Sequence, residues 1–302
     1  MLRGAVMKIF KIIVVVCCMV GLVACGNQAK QDKKDFDQQM TKVIHKEQVF
    51  NKTLDEMSLD QLSHLSREEI TDKNKETFKN IKKKINRTLK PQFDDYKKEA
   101  EALPDTNEDL NSVKQAYLMG IKGKEQEVEQ LERFVTLCIS SIDTNEHILE
   151  NTQQFEKHRS NVEKYMKKAQ STQEGVDESR ALEEILESNN NEIQKSVEDA
   201  MTHDSDEDQA KVFKNTTIPL IQQQIKTLNQ KQLSVHDVSL ARQSAIEMYY
   251  DLAHYYQSRI KTIEYSKALS EIDVHTLIQS SKDLKHYDEA FQEKYENIDE
   301  AN

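Results

Sequence analysis

Chain breakers are almost missing from this sequence. Beyond residue 25 it holds four glycines (Gly26, Gly120, Gly123, Gly175) and three prolines (Pro91, Pro104, Pro219). A sheet protein needs frequent turns, and turns draw on Gly and Pro for backbone angles that other residues avoid. With so few of either, helices are what the chain can build. Charged residues make up 31%, aromatics 6%, and Trp is absent. That balance predicts narrow apolar seams between long amphipathic helices instead of one thick core. The expected fold class is all-α: an elongated bundle of six to eight helices, the longest packed in coiled-coil fashion.

Apolar spacing places the helices. Phe36, Met40, Val43, Ile44, Phe50, Leu54 and Met57 fall near helical intervals, and Ser58 and Ser66 are candidate N-caps, Ser66 with Glu69 in capping-box position. Phe78, Ile81, Ile85 and Leu89 mark a second helix from about Asp72 to Leu103, which Pro91 is expected to kink or interrupt. After a cap at Asp105 or Thr106 comes the longest pattern: Leu110, Val113, Tyr117, Ile121, Val128, Leu131, Val135, Cys138, Ile142, then Leu149 to Met166. Steps of three and four sustained this far predict one long seam-packed helix, with Gly120 and Gly123 as possible bends. Unbroken from Thr106 to Gln170, it would run about 97 Å at 1.5 Å per residue. Ser171 to Asp177 is the best internal boundary, giving possible halves 36–170 and 176–302. Further helices are expected around Leu182 to Met201, around Phe213 to Leu228 with a kink near Pro219, from Ser234 to about Lys267, and from Ser270 to Tyr295.

The N-terminus has a different character. Arg3, Lys8 and Lys11 precede the apolar run Ile12 to Cys25, the charged-then-apolar order of an export signal. A bilayer span needs about 20 apolar residues, so this shorter run reads as a removable leader. Translation from Met1 or from Met7 leaves it complete. Leu22-Val23-Ala24-Cys25 resembles the lipobox of bacterial lipoproteins. That resemblance implies cleavage after Ala24 and acylation of the Cys25 thiol, which gives the domains 1–24 (signal peptide), 25–35 (lipidated cysteine and flexible tether) and 36–302 (helical body). Two acyl chains would hold the body firmly where one holds it marginally. Cys17 and Cys18 leave with the leader, so Cys138 is the only thiol of the body and no internal disulfide can form. Its neighbours Phe134, Val135, Leu137 and Ile139 read as core. Losing Arg3, Lys8 and Lys11 takes Lys+Arg from 42 to 39 against 53 acidic residues, a mature net charge of about −14. Such a charge argues against nucleic-acid binding and repels anionic surfaces on average.

The segment Ala245 to Tyr256 holds four of the ten tyrosines. Ala245, Met248, Leu252, Tyr256 and Ile263 share one helical face; Glu247, Tyr250, Asp251 and His254 share another. Burial between neighbouring helices with satisfied polar tips is the first expectation, and a ligand-lining helix the second. Glu247-Met248-Tyr249-Tyr250 resembles the signature of the EMYY-motif lipoproteins of Gram-positive cocci, and the layout of lipobox, charged helical body and late motif fits throughout. A looser likeness, of layout alone, is to the YkyA-type lipoproteins named for cell-wall binding. The resemblance implies a lipid-anchored location on the outer face of the cytoplasmic membrane; it carries no activity with it.

Other motifs point to no chemistry. Asp204 to Asp208 begins like a calcium loop, but the positions that need Gly and Glu hold Gln209 and Asn215, so a capped acidic connector is expected. Lys79, Lys82, Lys83, Lys84, Arg87 and Lys90 form a basic segment that reads first as a solvated face pairing with acidic helices, and second as a dock for phosphate-rich wall polymer or lipid headgroups. No zinc-protease, paired di-iron, phosphate-loop or serine-nucleophile motif occurs. Asp251 and His254 are expected to share a local hydrogen bond. The expected role is noncatalytic: an interaction or structural protein at the membrane–wall interface, without metal or cofactor, whose partner is a wall polymer or an envelope protein. The alternatives are a ligand-binding or chaperone-like module using helix 245–265 and, after that, an envelope enzyme.

Overall fold

The computed structural model describes residues 3–57, 59, 61–62 and 72–301, and the side chains of 28–57, 59, 61–62 and 74–298. Ser58, Ser66, Ala24 and Cys25 fall outside those described side chains. Among the described residues there is no strand. The helices are α1 (Arg3–Asp55), α2 (Asp72–Lys84), α3 (Lys90–Glu101), α4 (Glu108–Ala169), α5 (Gln173–Met201), α6 (Asp206–Val212), α7 (Ile218–Gln230), α8 (His236–Ser270), α9 (Val274–Lys282) and α10 (Glu289–Ala301). The chain forms two compact units, the first 1–69, 79–133 and 273–302, the second 70–78 and 134–272. The boundary therefore lies inside α4 at Arg133, not at Ser171 to Asp177, because the last thirty residues return to the first unit.

At Pro91 and Pro219 the α-helix is interrupted, yet the chain stays helical. Five-residue π-helical turns, Ile85–Leu89 and Phe213–Thr217, join α2 to α3 and α6 to α7, with Pro91 and Pro219 just beyond them. A proline ring clashes with the carbonyl four residues back and has no N–H to offer it. Widening the preceding turn to i→i+5 bonding relieves both faults while the chain runs on. The same turns keep Ile85 with Leu89, and Phe213 with Thr217, buried.

In unit 1, α3 runs antiparallel to α1: Gln39 donates to the Glu99 carbonyl (2.8 Å), Lys46 pairs with Asp95 (3.1 Å) and Phe50 packs edge-on to Phe93 (5.2 Å). A ring ladder continues through Tyr96, Tyr117, Phe291 and Tyr295. The expected tether is already ordered in its described part: residues 28–35 belong to α1, Asp32 is buried, and Lys33 reaches the Tyr295 hydroxyl (3.2 Å), which itself donates to Asp37 (2.5 Å). Those bonds to α10 give the segment a partner that its polar sequence does not announce. The start of α4 is capped by Asn107, whose Oδ1 accepts from the Leu110 N–H (2.9 Å); Asp105 pairs with Lys114 instead (3.2 Å). The expected last helix is three pieces, α9, a 3₁₀ turn Lys285–Asp288 and α10.

Unit 2 packs the rest of α4 with α5, α6–α7 and α8. Its core includes Leu182, Ile193, Phe213, Ile221, Leu228, Val238, Ala245 and Tyr249. Thr172 caps α5 and Ser205 caps α6, each through its hydroxyl (3.1 Å). Glu178 accepts from the N–H groups of Ser234 and Val235 (2.9 and 3.0 Å), closing the entry to α8; the Ser234 hydrogen bonds hold its carboxyl below the usual range. Cys138 is buried, and burial pushes its thiol up to about 12.

Candidate functional site

α8 carries the tyrosine-rich motif, and its seam decides what each motif residue does. Val238, Ala241, Ala245, Met248, Ala253 and Tyr256 turn inward; the small alanines let neighbouring helices approach. Tyr249 is fully buried and donates its hydroxyl to Asn190 Oδ1 on α5 (3.0 Å), and burial raises its phenol to about 12. Met248 lies 5% exposed beside it. Glu247 and His254 are exposed, and Tyr250 keeps 44% of its surface in solvent. Spacings of three and four residues put Glu247, Tyr250 and His254 on one outward line. The motif is thus divided: its middle pair packs, its flanks face out.

Asp251 does not bond His254. It meets His158 of α4, Oδ2 to Nδ1 at 2.8 Å, with both side chains mostly buried. This contact pins α8 to α4 and leaves the His254 imidazole facing solvent. Tyr255 and Tyr265 are half-buried, and Tyr255 packs edge-on to Tyr256 (5.2 Å).

Unit 1 holds a polar cluster that apolar periodicity overlooked. Lys124 occupies the seam position between Ile121 and Val128 and is 1% exposed. Its ammonium lies 2.5 Å from Glu47 Oε1, 2.7 and 2.8 Å from the two Asp288 oxygens, and 3.2 Å from the Tyr96 hydroxyl. Tyr96 and Tyr117 share a hydrogen bond (2.9 Å), and Tyr117 reaches Glu47 (3.4 Å). One cation thus faces two carboxylates. Burial, with Glu47 adding repulsion, holds the Asp288 carboxyl above the usual range. Burial also raises both phenols, and the nearby carboxylate charges add to the effect.

Two glycines admit Asp288 to this cluster. A Cβ on Gly120 would stand 2.3 Å from the Tyr287 carbonyl oxygen, and one on Gly123 would stand 2.2 Å from its ring. α4 stays helical across both. They form a notch into which Tyr287 lies flat, its hydroxyl on Glu127 (2.8 Å). A lysine in an otherwise apolar seam, one position after a glycine pair, was the signal available in the sequence. Beside the cluster a cavity of about 220 Å³ is lined by Glu47, Asn51, Leu54, Asp55, Lys282, Leu284 and Lys285. That is below the range of drug-sized ligand pockets.

Among the described residues no group of three His, Cys, Asp or Glu is placed to hold a metal, and no helix is long and apolar enough to cross a membrane. The family model for EMYY-motif containing lipoproteins matches residues 6–299. The chain belongs to that family. As a member it is a lipoprotein, associated with a membrane through lipid. No curated protein and no solved structure matches the chain.

Proposed function

We propose that this lipoprotein is a noncatalytic interaction protein of the Gram-positive cell envelope, anchored through acyl chains on Cys25 at the outer face of the cytoplasmic membrane. Its docking face is the outward line Glu247, Tyr250 and His254. The observation that carries the reading is the exposure of Tyr250, 44% open on a helix whose other motif aromatic, Tyr249, is sealed. An exposed tyrosine flanked by a carboxylate and an imidazole offers a flat apolar ring with polar tips, a composition enriched where interfaces bind most strongly. Asp251 supports this face by fixing α8 against α4 through His158.

The test is a photoreactive amino acid placed at position 250 of the anchored protein in growing cells, with position 119 as control, since Met119 is 76% exposed. The expected result is a discrete adduct from position 250, reduced by Glu247→Ala and absent from position 119. Equal labelling at both positions, or none at 250, contradicts the proposal.

A further inference from the structure

The body is acidic, yet α2 and the wide turn after it carry a line of cations. The structure separates them into two sets. Lys84 donates to the Glu56 carbonyl (3.0 Å) and Lys90 pairs with Glu132 (2.8 Å). Lys79, Lys82, Lys83 and Arg87 make no ion pair or side-chain hydrogen bond among the described residues. Lys79, Lys83 and Arg87 are all exposed. In a regular α-helix Arg87 would stand rotated about 80° from Lys79. The π-helical turn Ile85–Leu89 takes more residues per turn and so draws Arg87 back toward the line of Lys79 and Lys83. The turn that accommodates Pro91 therefore also aligns a guanidinium with two ammoniums, at an axial repeat of about 6 Å.

The position of this line in unit 1 selects its partner. α3 and α1 are antiparallel, and Lys84 meets Glu56 just past the C-terminal end of α1, at the opposite end of that helix from Cys25. Thirty-one residues of helix extend about 46 Å, several times the Debye length of about 8 Å over which a charged surface acts at physiological salt. The cations lie at the end of α1 remote from the acyl chains, where headgroups supply no field when α1 stands away from the membrane. Guanidinium and ammonium groups both suit phosphate oxygens, the former by two parallel hydrogen bonds.

We infer that Lys79, Lys83 and Arg87, with Lys82 beside them, form a docking line for a linear phosphodiester polymer. The mature chain's net charge of about −14, these cations included, repels such a polymer on average, which confines it to this line and makes the contact electrostatic and reversible. The inference rests on the envelope reading for its setting, but it uses another surface and can be measured apart from it.

The experiment uses the full mature lipoprotein, held by its acyl chains in phosphatidylcholine vesicles, and fluorescent poly(glycerol phosphate) as the probe. Three contacts predict roughly a 10- to 20-fold loss of affinity between 50 and 200 mM salt. The triple variant Lys79→Gln/Lys83→Gln/Arg87→Gln is expected to bind at least tenfold more weakly and to lose that salt dependence, whereas Tyr250→Ala binds as the unaltered protein does. No binding by the unaltered protein, or equal binding by the triple variant, overturns the inference. So does the opposite preference, in which protein without its acyl chains binds phosphatidylglycerol vesicles through these residues and leaves the polymer free. Because Tyr250→Ala is the variant that removes the proposed partner face, the two proposals fail separately.

Discussion

In unit 1 the long helix turns an ammonium inward at a seam position, and α1 and the C-terminal segment each supply a carboxylate to meet it. In unit 2 most of the buried polar contacts are made by neutral groups, the Asp251–His158 contact apart. Gln224 donates to the Asn189 carbonyl (3.1 Å), the Ser196 and Thr217 hydroxyls share a bond (2.8 Å), and Tyr249 meets Asn190 (3.0 Å). The difference lies in what each unit must specify. Unit 1 closes with a segment more than 160 residues away along the chain from its ion-pair partner, Lys124. A buried charge set satisfied only when Asp288 arrives marks one register for that segment, at some expense in stability. Unit 2 is continuous in sequence over most of its length, and amides and hydroxyls, with the single Asp251–His158 contact, align its helices.

The comparison is broken most sharply at Lys124. Lys124→Met leaves Glu47 and Asp288 buried against each other, and a loss of about 3–5 kcal/mol is expected. The counterpart in unit 2, Gln224→Met, removes an amide donor from the Asn189 carbonyl and from the exposed Glu192 carboxylate and should cost about 1–3 kcal/mol. Denaturant midpoints of the two variants decide it; equal losses would show that the charges carry no special weight. The triple change Lys124→Met/Glu47→Gln/Asp288→Asn should recover part of the loss, since no buried charge then lacks a partner.

Gly120→Ala tests the notch. An alanine in an exposed helix interior is worth about 1 kcal/mol over glycine, but here its Cβ would meet the Tyr287 carbonyl oxygen at 2.3 Å. The expected sign is reversed, a loss of about 1–3 kcal/mol by the same denaturation measurement. A gain would mean that Tyr287 does not lie on α4.

A smaller effect follows from Asp288, whose carboxyl is held above its ordinary value by burial. Between that ordinary value, about 3.9, and the raised one, the folded unit binds more protons than the unfolded chain. Its contribution therefore grows as pH falls from neutrality into that window and declines as pH rises out of it. Asp288→Asn should flatten this part of the stability–pH curve, measured by thermal unfolding from the ordinary carboxylate range up to neutrality. An unchanged slope would assign the dependence elsewhere.

The smallest effects separate the two motif tyrosines. Tyr249→Phe loses one buried hydrogen bond, about 1 kcal/mol, whereas Tyr250→Ala should stay within about 0.5 kcal/mol. A large loss at Tyr250 would place it in the packing.

The all-α fold was legible because it rests on local signals. Leu110 through Met166 keep seam spacing, and α4 follows from Glu108 to Ala169. What escaped was set by distant partners. Nothing local to Gly120 and Gly123 announces that Tyr287 lies against them, and Lys124 reads as one more surface lysine until Glu47 and Asp288 converge on it. Pro91 and Pro219 marked where the α-helices are interrupted, but the form of the interruption escaped, because a π-helical turn has no pattern of its own in the spacing. Within the motif, the helical period grouped Glu247, Tyr250 and His254 on the face that is exposed, but it assigned Tyr249 to neither face. The partner of Asp251 was not legible, because His158 lies on another helix.

The division of the motif into a packed half and a displayed half is tested most directly by hydroxyl-radical footprinting read by mass spectrometry, on the purified lipoprotein and on intact cells. The prediction is that Tyr249 stays unreactive in both, while Tyr250 and His254 react in the purified protein and are protected on cells. Equal reactivity of Tyr250 in the two settings would contradict the account.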